Sequence, residues 1–169
     1  MNVKHLEVKN FRNIERTTID PCDGVNIIYG ENAQGKTNIL EGIWLFTGCK
    51  SFRGSKDAAL IRFGEEFAKT QLSFEDSSRE KKSEIVISDK KKLITLNDVP
   101  LKSTGELIGS FYAVIFAYFT NISNFNQKIN CFSKKYPNFS ASGLHMLPGG
   151  EAKRQNFGQG CRLKTLLIH

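Results

Sequence analysis

The chain has 169 residues, 40% hydrophobic and 24% charged, with 24 Lys+Arg against 17 Asp+Glu and a formal net charge of +7. That balance suits a soluble globular protein with one modest core, and no apolar stretch approaches the roughly 20 residues that a membrane-spanning helix needs. The excess charge is local: residues 1–117 carry 17 Lys+Arg and 16 Asp+Glu, whereas residues 118–169 carry 7 Lys+Arg and Glu151 alone, so whole-chain charge is no argument for DNA binding.

The opening MNVKHLEVKN is charged and alternating, unlike a signal peptide, so a cytoplasmic location and no membrane partner are expected. Its residues 3–10 predict a first strand, and NIERTTID (13–20) predicts a partner ending at Pro21 and the turn-forming Asp23-Gly24. VNIIY (25–29) is a continuous apolar run, as in a strand covered on both faces, and it runs straight into Gly30. KTNILEGIWLFTG (36–48) places Ile39, Leu40, Ile43, Trp44 and Phe46 around most of a helix, which predicts a helix packed on several sides and stopped near Gly48.

From about residue 66 the apolar period drops to two. FAKTQLSFE, SEIVIS and KLITL predict three antiparallel strands separated by the charged turns DSSREKK and DKKK. STGELIGS (103–110) predicts a short helix capped by Ser103 or Thr104 ahead of Glu106, and FYAVIF (111–116) a buried strand. Beyond Ala117 neither period is sustained, and Pro137, Pro148 and paired glycines interrupt the sequence further. Cys22, Cys49, Cys131 and Cys161 form no C-x-x-C pair, and His5, His145 and His169 stand apart from them, so free thiols and no His/Cys metal site are expected.

Residues 30–37 read GENAQGKT, a match to G-x-x-x-x-G-K-[ST] between a predicted strand and a predicted helix. Such a loop turns successive backbone N–H groups inward around a phosphate, and the helix that follows adds the positive end of its dipole. Gly30, Glu31, Asn32, Ala33, Gln34, Gly35, Lys36 and Thr37 are therefore the candidate nucleotide site, with ATP as the expected ligand. Lys36 is placed for the β- and γ-phosphates, and the Thr37 hydroxyl for Mg²⁺.

The stretches around that loop carry a resemblance. LEVKNFRNI (6–14), GENAQGKTNILEGI (30–43), SFR (51–53) and LIRFG (60–64) together resemble the amino-terminal lobe of the RecF family, whose heads are of the ABC class, alongside SMC and Rad50 heads. The resemblance covers about residues 1–117. It implies an α/β P-loop NTPase lobe with a mixed sheet and an antiparallel arm, here incomplete and followed by a poorly ordered basic tail at 118–169. It also implies ATP-dependent binding to single-stranded DNA and gap junctions, a role in repair, recombination, replication and the SOS response, contact with recombination mediator proteins, and head-to-head dimers. It further places Arg12 and Asn13 near the nucleotide base and phosphates, and lets Lys50, Arg53 and Lys56 meet DNA phosphates. For both groups a plain surface turn or solvated face is the alternative.

The second half of an ABC head is not found in these residues. No apolar run ends in the Asp-Glu pair of a Walker B strand: IVISD (85–89) is interrupted by Ser88, and TLLIH stops at His169. There is no LSGGQ-like signature. The simultaneous loss of acids, periodicity and resemblance near residue 118 leads us to expect a truncated or frame-shifted chain deficient in hydrolysis, which relies on positioned metal, water and transition-state charge stabilisation. Two further readings stay open: a vestigial, non-enzymatic fragment, and a small P-loop kinase. The kinase would need further βα units and an Arg-rich lid, where this chain has strand-type sequence.

Overall fold

A computed structural model of the chain describes residues 1–77 and 79–113, together with the backbone of 141–146, 152–157 and 166–168. The period-two segments build one antiparallel sheet. It contains β1 (Asn2–Phe11), β2 (Ile14–Ile19), β4 (Phe67–Asp76), β5 (Arg79–Ser88), β6 (Lys92–Leu96) and β7 (Val99–Pro100), in the order β2-β1-β4-β5-β6-β7. Alternate residues fall on one face, so Leu6, Val8, Leu72, Phe74, Ile85, Ile87 and Ile94 are all buried. Each such side chain contributes about 1.5–3 kcal/mol by leaving water. The far edge is closed by the short β7, where Pro100 presents no N–H to an incoming strand.

The apolar run Val25–Tyr29 forms β3 and stands in a second sheet, of order β10-β3-β8-β9. Strands β8 (Ala141–Met146) and β10 (Leu166–Ile168) run parallel to β3 on either side, and β9 (Ala152–Phe157) pairs antiparallel with β8. These three strands come from the region where the sequence shows no sustained period. Their short polar or three-residue stretches give no alternation to read.

Helix α1 (Lys36–Trp44) follows the loop after β3 and continues as a single 3₁₀ turn, Leu45–Thr47. It crosses the inner face of the large sheet at Gly42, where an added Cβ would lie 3.5 Å from Val8 and 3.7 Å from Thr70. Ile39, Leu40, Ile43, Leu45 and Phe46 join the sheet's buried residues in one core. That packing seats the start of α1 beside the β1–β2 turn.

Two local expectations are revised, and a third falls only partly within the described residues. Strand β5 begins at Arg79, inside the segment read as a charged turn, because its ladder with β4 extends to Asp76 opposite Arg79 and Lys81 meets Asp76 at 2.9 Å. The segment at 103–110 is one 3₁₀ turn, Thr104–Leu107, without a side-chain cap; the Glu106 carboxylate instead accepts from the Lys102 N–H at 3.2 Å. Of FYAVIF, Phe111 is buried and bridges to Ile108, while 114–116 lie outside the described residues, as do Cys131, Cys161 and His169. Among the described residues no helix is long and apolar enough to cross a membrane, and no three His, Cys, Asp or Glu side chains gather as metal ligands.

Candidate phosphate-binding site

The loop between β3 and α1 is a sharp backbone reversal made of left-handed residues. Gly30, Ala33 and Gly35 have φ of 140°, 65° and 95°. Gly35 is also the N-cap of α1, and a Cβ there would approach Asn13 Oδ1 to 3.1 Å and Ile14 to 3.2 Å, so any larger residue would be strained twice over. No side chain caps the helix. The amides of Asn38 and Ile39 bond to the Gly35 carbonyl at 2.9 and 3.0 Å. Among the described residues the amides of Gly35, Lys36 and Thr37 have no acceptor. A helix start with orphan donors and no acid in its first turn is an anion site in waiting.

Lys36 is the charged group of this loop. Its side chain curls back so that Nζ donates to the carbonyls of Gly30 at 2.7 Å and Glu31 at 2.6 Å. It is 9% exposed, and burial lowers its pKa. The ammonium is therefore held inside the loop, poorly hydrated, with only carbonyl dipoles to offset its charge. An anion at the same place would be drawn to it. Thr37 is exposed, at the mouth of the helix, as are Glu31, Asn32 and Ala33, while Gln34 is half-buried.

The sequence also singled out Arg12 and Asn13, and here their surroundings are specific. Arg12 has φ 57° and donates its backbone N–H to the Leu60 carbonyl at 2.8 Å. Its guanidinium makes a bidentate pair with Glu41, through Nε at 3.0 Å and Nη2 at 2.9 Å, and reaches Ser55 Oγ at 2.7 Å and the Ala59 carbonyl at 2.9 Å. Asn13 Nδ2 donates to the Ala33 carbonyl at 2.6 Å, and its Oδ1 accepts from Asn38 Nδ2 at 2.7 Å. Thus Asn13 touches the phosphate loop itself, whereas Arg12 faces α1 and the 55–60 segment.

Of the basic residues expected to face DNA, Lys50 and Lys56 are exposed. Arg53 is exposed as well but already engaged: Nη2 donates to Asn38 Oδ1 at 3.0 Å, Nε lies 3.9 Å from Glu41, and the guanidinium sits over the Phe52 ring. Lys92, read from sequence as the last residue of the charged turn DKKK, is also engaged. Its amine donates to the Cys49 carbonyl at 2.6 Å and to Asp57 at 2.8 Å, fastening β6 to the segment that leaves α1.

Glu41 is the residue that sequence reasoning passed over. It is fully buried, and its carboxylate accepts from Arg12 and from Ser51 Oγ. Burial alone would raise its pKa; the hydrogen bonds from Arg12 and Ser51 and the charges of Arg12 and Arg53 outweigh it and hold the carboxyl below its ordinary range. The available signal was one acid inside NILEGIW, on a helix otherwise apolar on most sides.

Comparison with known proteins places this geometry. The family model described as AAA domain matches residues 5–154. The DNA replication and repair protein RecF of Thermoanaerobacter sp. (strain X514) is 44% identical over 118 residues, 69% of this chain and 33% of that protein. RecF of Acetivibrio thermocellus is 42% identical over 118 residues, 69% of this chain and 32% of the relative. The chain thus spans about a third of the length of the RecF proteins it matches. Among solved structures, the recombination mediator protein RecF-ATP of the RecFOR pathway superposes with a TM-score of 0.67 at 38% identity, covering 78% of this chain and 38% of that one. The SMC head domain from Thermotoga maritima superposes with a TM-score of 0.56 at 24% identity, covering 66% of this chain and 43% of that one, which shows a shared head fold.

Proposed function

The chain belongs to the AAA domain family, and on that premise we propose that its residues 30–37 bind ATP as the nucleotide site of a RecF-like DNA repair and replication protein. The observation that carries this is the position of Lys36. An ammonium held by two loop carbonyls at 2.7 and 2.6 Å lies beside a helix start without a side-chain cap. That arrangement attracts a polyphosphate and offers it amide donors without reorganising the backbone.

The residues present fit the ligand. Gly35 leaves room where a Cβ would crowd Asn13, the amides of Gly35 to Thr37 would supply donors, and the hydroxyl of the exposed Thr37 is the group that would hold a magnesium ion. When bound, that ion would neutralise phosphate charge. The chain's own part is to bind and orient. Lys36 would exchange its carbonyl partners for phosphate oxygens, and its lowered pKa would return toward the ordinary lysine value as the anion arrives.

The wider role follows the RecF relatives, one of whose solved structures is described as a recombination mediator in the RecFOR pathway. We propose single-stranded DNA and gap junctions as the nucleic-acid ligands, with Lys50 and Lys56 as candidate phosphate contacts and Arg53 as a weaker one because it is already engaged. Mediator proteins as partners, head-to-head pairing, a place in the SOS response and a cytoplasmic location belong to the same reading. Residues 1–117 are proposed as the RecF-like lobe. For this chain taken alone we propose binding with turnover near background.

Titration calorimetry with Mg-ATP tests the site. The wild-type chain should give a saturable isotherm. Lys36→Ala should weaken it by about 2–3 kcal/mol, the usual worth of a charge-assisted hydrogen-bond set, in protein that remains folded. Equal affinity of the two proteins would remove the phosphate role from Lys36.

A further inference from the structure

Arg12 and Asn13 are adjacent at the tip of the β1–β2 hairpin, yet their side chains turn in different directions. Arg12 goes inward: four of its guanidinium hydrogen bonds end on Glu41, Ser55 and Ala59. Its left-handed φ of 57° is costly for a residue with a side chain and persists only where the surroundings fix it. The Leu60 carbonyl at 2.8 Å and the Glu41 pair do that. Asn13 then has its position set for it. Its amide bridges the Ala33 carbonyl, at the left-handed corner of the phosphate loop, to Asn38 in the first turn of α1. One side chain thereby joins the middle of the loop to the helix that the loop enters.

Glu41 anchors this arrangement from beneath. It lies on α1 one turn beyond Asn38, is fully buried, and holds Arg12 together with Ser51 and, more distantly, Arg53. Among the described residues no hydrogen bond joins its carboxylate to residues 30–37, so its effect on the loop passes through Arg12 and then Asn13, with Arg53, which bonds to Asn38, as a weaker second link.

We propose that Glu41 is a positioning residue for the phosphate loop. It holds Arg12, Arg12 holds the hairpin tip, and Asn13 latches Ala33 to Asn38, so that the loop is preformed before any nucleotide arrives. Arg12 then serves the loop's shape and does not contact the ligand. This rests on the nucleotide-binding reading above only for its consequence in affinity; the effect on the loop exists without ligand.

The test uses the full chain with Glu41→Gln, Arg12→Lys, Asn13→Ala and the Glu41→Gln/Asn13→Ala double variant. Amide hydrogen exchange is followed over residues 30–37 without nucleotide, and affinity is measured for ATP, ADP and AMP. Each single variant should speed exchange in the loop and weaken ATP and ADP by the same factor, about tenfold, and the double variant should be little worse than either single one. A direct ligand contact behaves otherwise: Arg12→Lys would weaken ATP far more than ADP, and the double variant would lose the product of the two single factors. Either result would overturn the proposal, as would loop exchange unchanged in Asn13→Ala. Should Glu41→Gln fail to fold, Arg12→Lys, which breaks the same bidentate pair from the other side, still decides the matter. Should the wild type bind no nucleotide, the reading of residues 30–37 as an ATP site fails, and loop exchange alone judges the role of Glu41.

Discussion

The β4–β5 arm and the phosphate loop are held by opposite means. Strands β4 and β5 pair from Phe67–Ser88 through Asp76–Arg79, neighbours in sequence joined by a tight turn, and every second residue of β4 from Ala68 to Phe74 is buried. The loop has no ladder of its own. It is fixed by Lys36 from within, by Asn13 from a hairpin 20 residues away, and behind them by Glu41, Arg12, Ser51 and Ser55. The arm stores stability in apolar area; the loop stores geometry in polar contacts between distant segments. Changes in the arm should therefore move stability alone, and changes around the loop should move ligand affinity as well.

The largest effect should come from the arm. Phe74 is fully buried on β4 and packs edge-on against Phe111, ring centroids 5.1 Å apart. Phe74→Ala should cost about 3–5 kcal/mol in denaturant unfolding. Affinity for ATP should stay unchanged in whatever fraction remains folded. A fall in affinity at full folding would show that the two regions are coupled.

Next is the clasp that fastens β6, beside the arm, to the segment leaving α1. Lys92 donates to Cys49 and Asp57 from a largely buried position. Lys92→Met should cost about 1.5–3 kcal/mol, the worth of hydrogen bonds from a charged group, read as a lower unfolding midpoint. An unchanged midpoint would mean that the arm docks by apolar contact alone.

The polar region should also report itself in pH. The Glu41 carboxyl is held below its ordinary value of 4.5, so its contribution is intact above that pH and is lost as pH falls through the lower folded value. At the other end, burial outweighs the opposing Lys92 charge and, with a smaller push from the Asp57 charge, sets the Cys49 thiol at about 11 against an ordinary 9.0. A raised value means stability that is whole below pH 9.0 and is lost progressively as pH rises toward 11. Unfolding midpoints across pH should show both limbs. Cys49→Ala should flatten the alkaline limb and leave the acid one.

The smallest effect sharpens the same contrast. Thr70 Oγ1 is buried on β4 with no hydrogen-bond partner among the described residues. Thr70→Val replaces it with a methyl group of the same shape and should be neutral or stabilising by about 1 kcal/mol in the same unfolding experiment. A loss would mean that the hydroxyl has a partner.

How much of this could be read from residues alone follows the same division. The bounds of β3 and β6 and the start of α1 are legible, because a continuous apolar run, a period of two and G-x-x-x-x-G-K-[ST] are each local signals. Arg79 to Lys82 were opaque, since a strand of Arg, Glu and Lys carries no alternation and is set by its ladder to β4. Glu41 and Lys92 were opaque for a different reason. Their partners lie 29 and 35 to 43 residues away, and only the folded chain brings a guanidinium or a carbonyl to them. For Asn13 the position was flagged, but its link to Ala33 and Asn38 depends on where the hairpin tip lands against α1.

Hydrogen exchange of the full chain with and without Mg-ATP addresses the phosphate loop most directly. Added nucleotide should slow exchange of the Gly35, Lys36 and Thr37 amides, which have no acceptor among the described residues, while β4 and β5 stay as they were. Identical exchange of those three amides at saturating nucleotide would contradict the assignment.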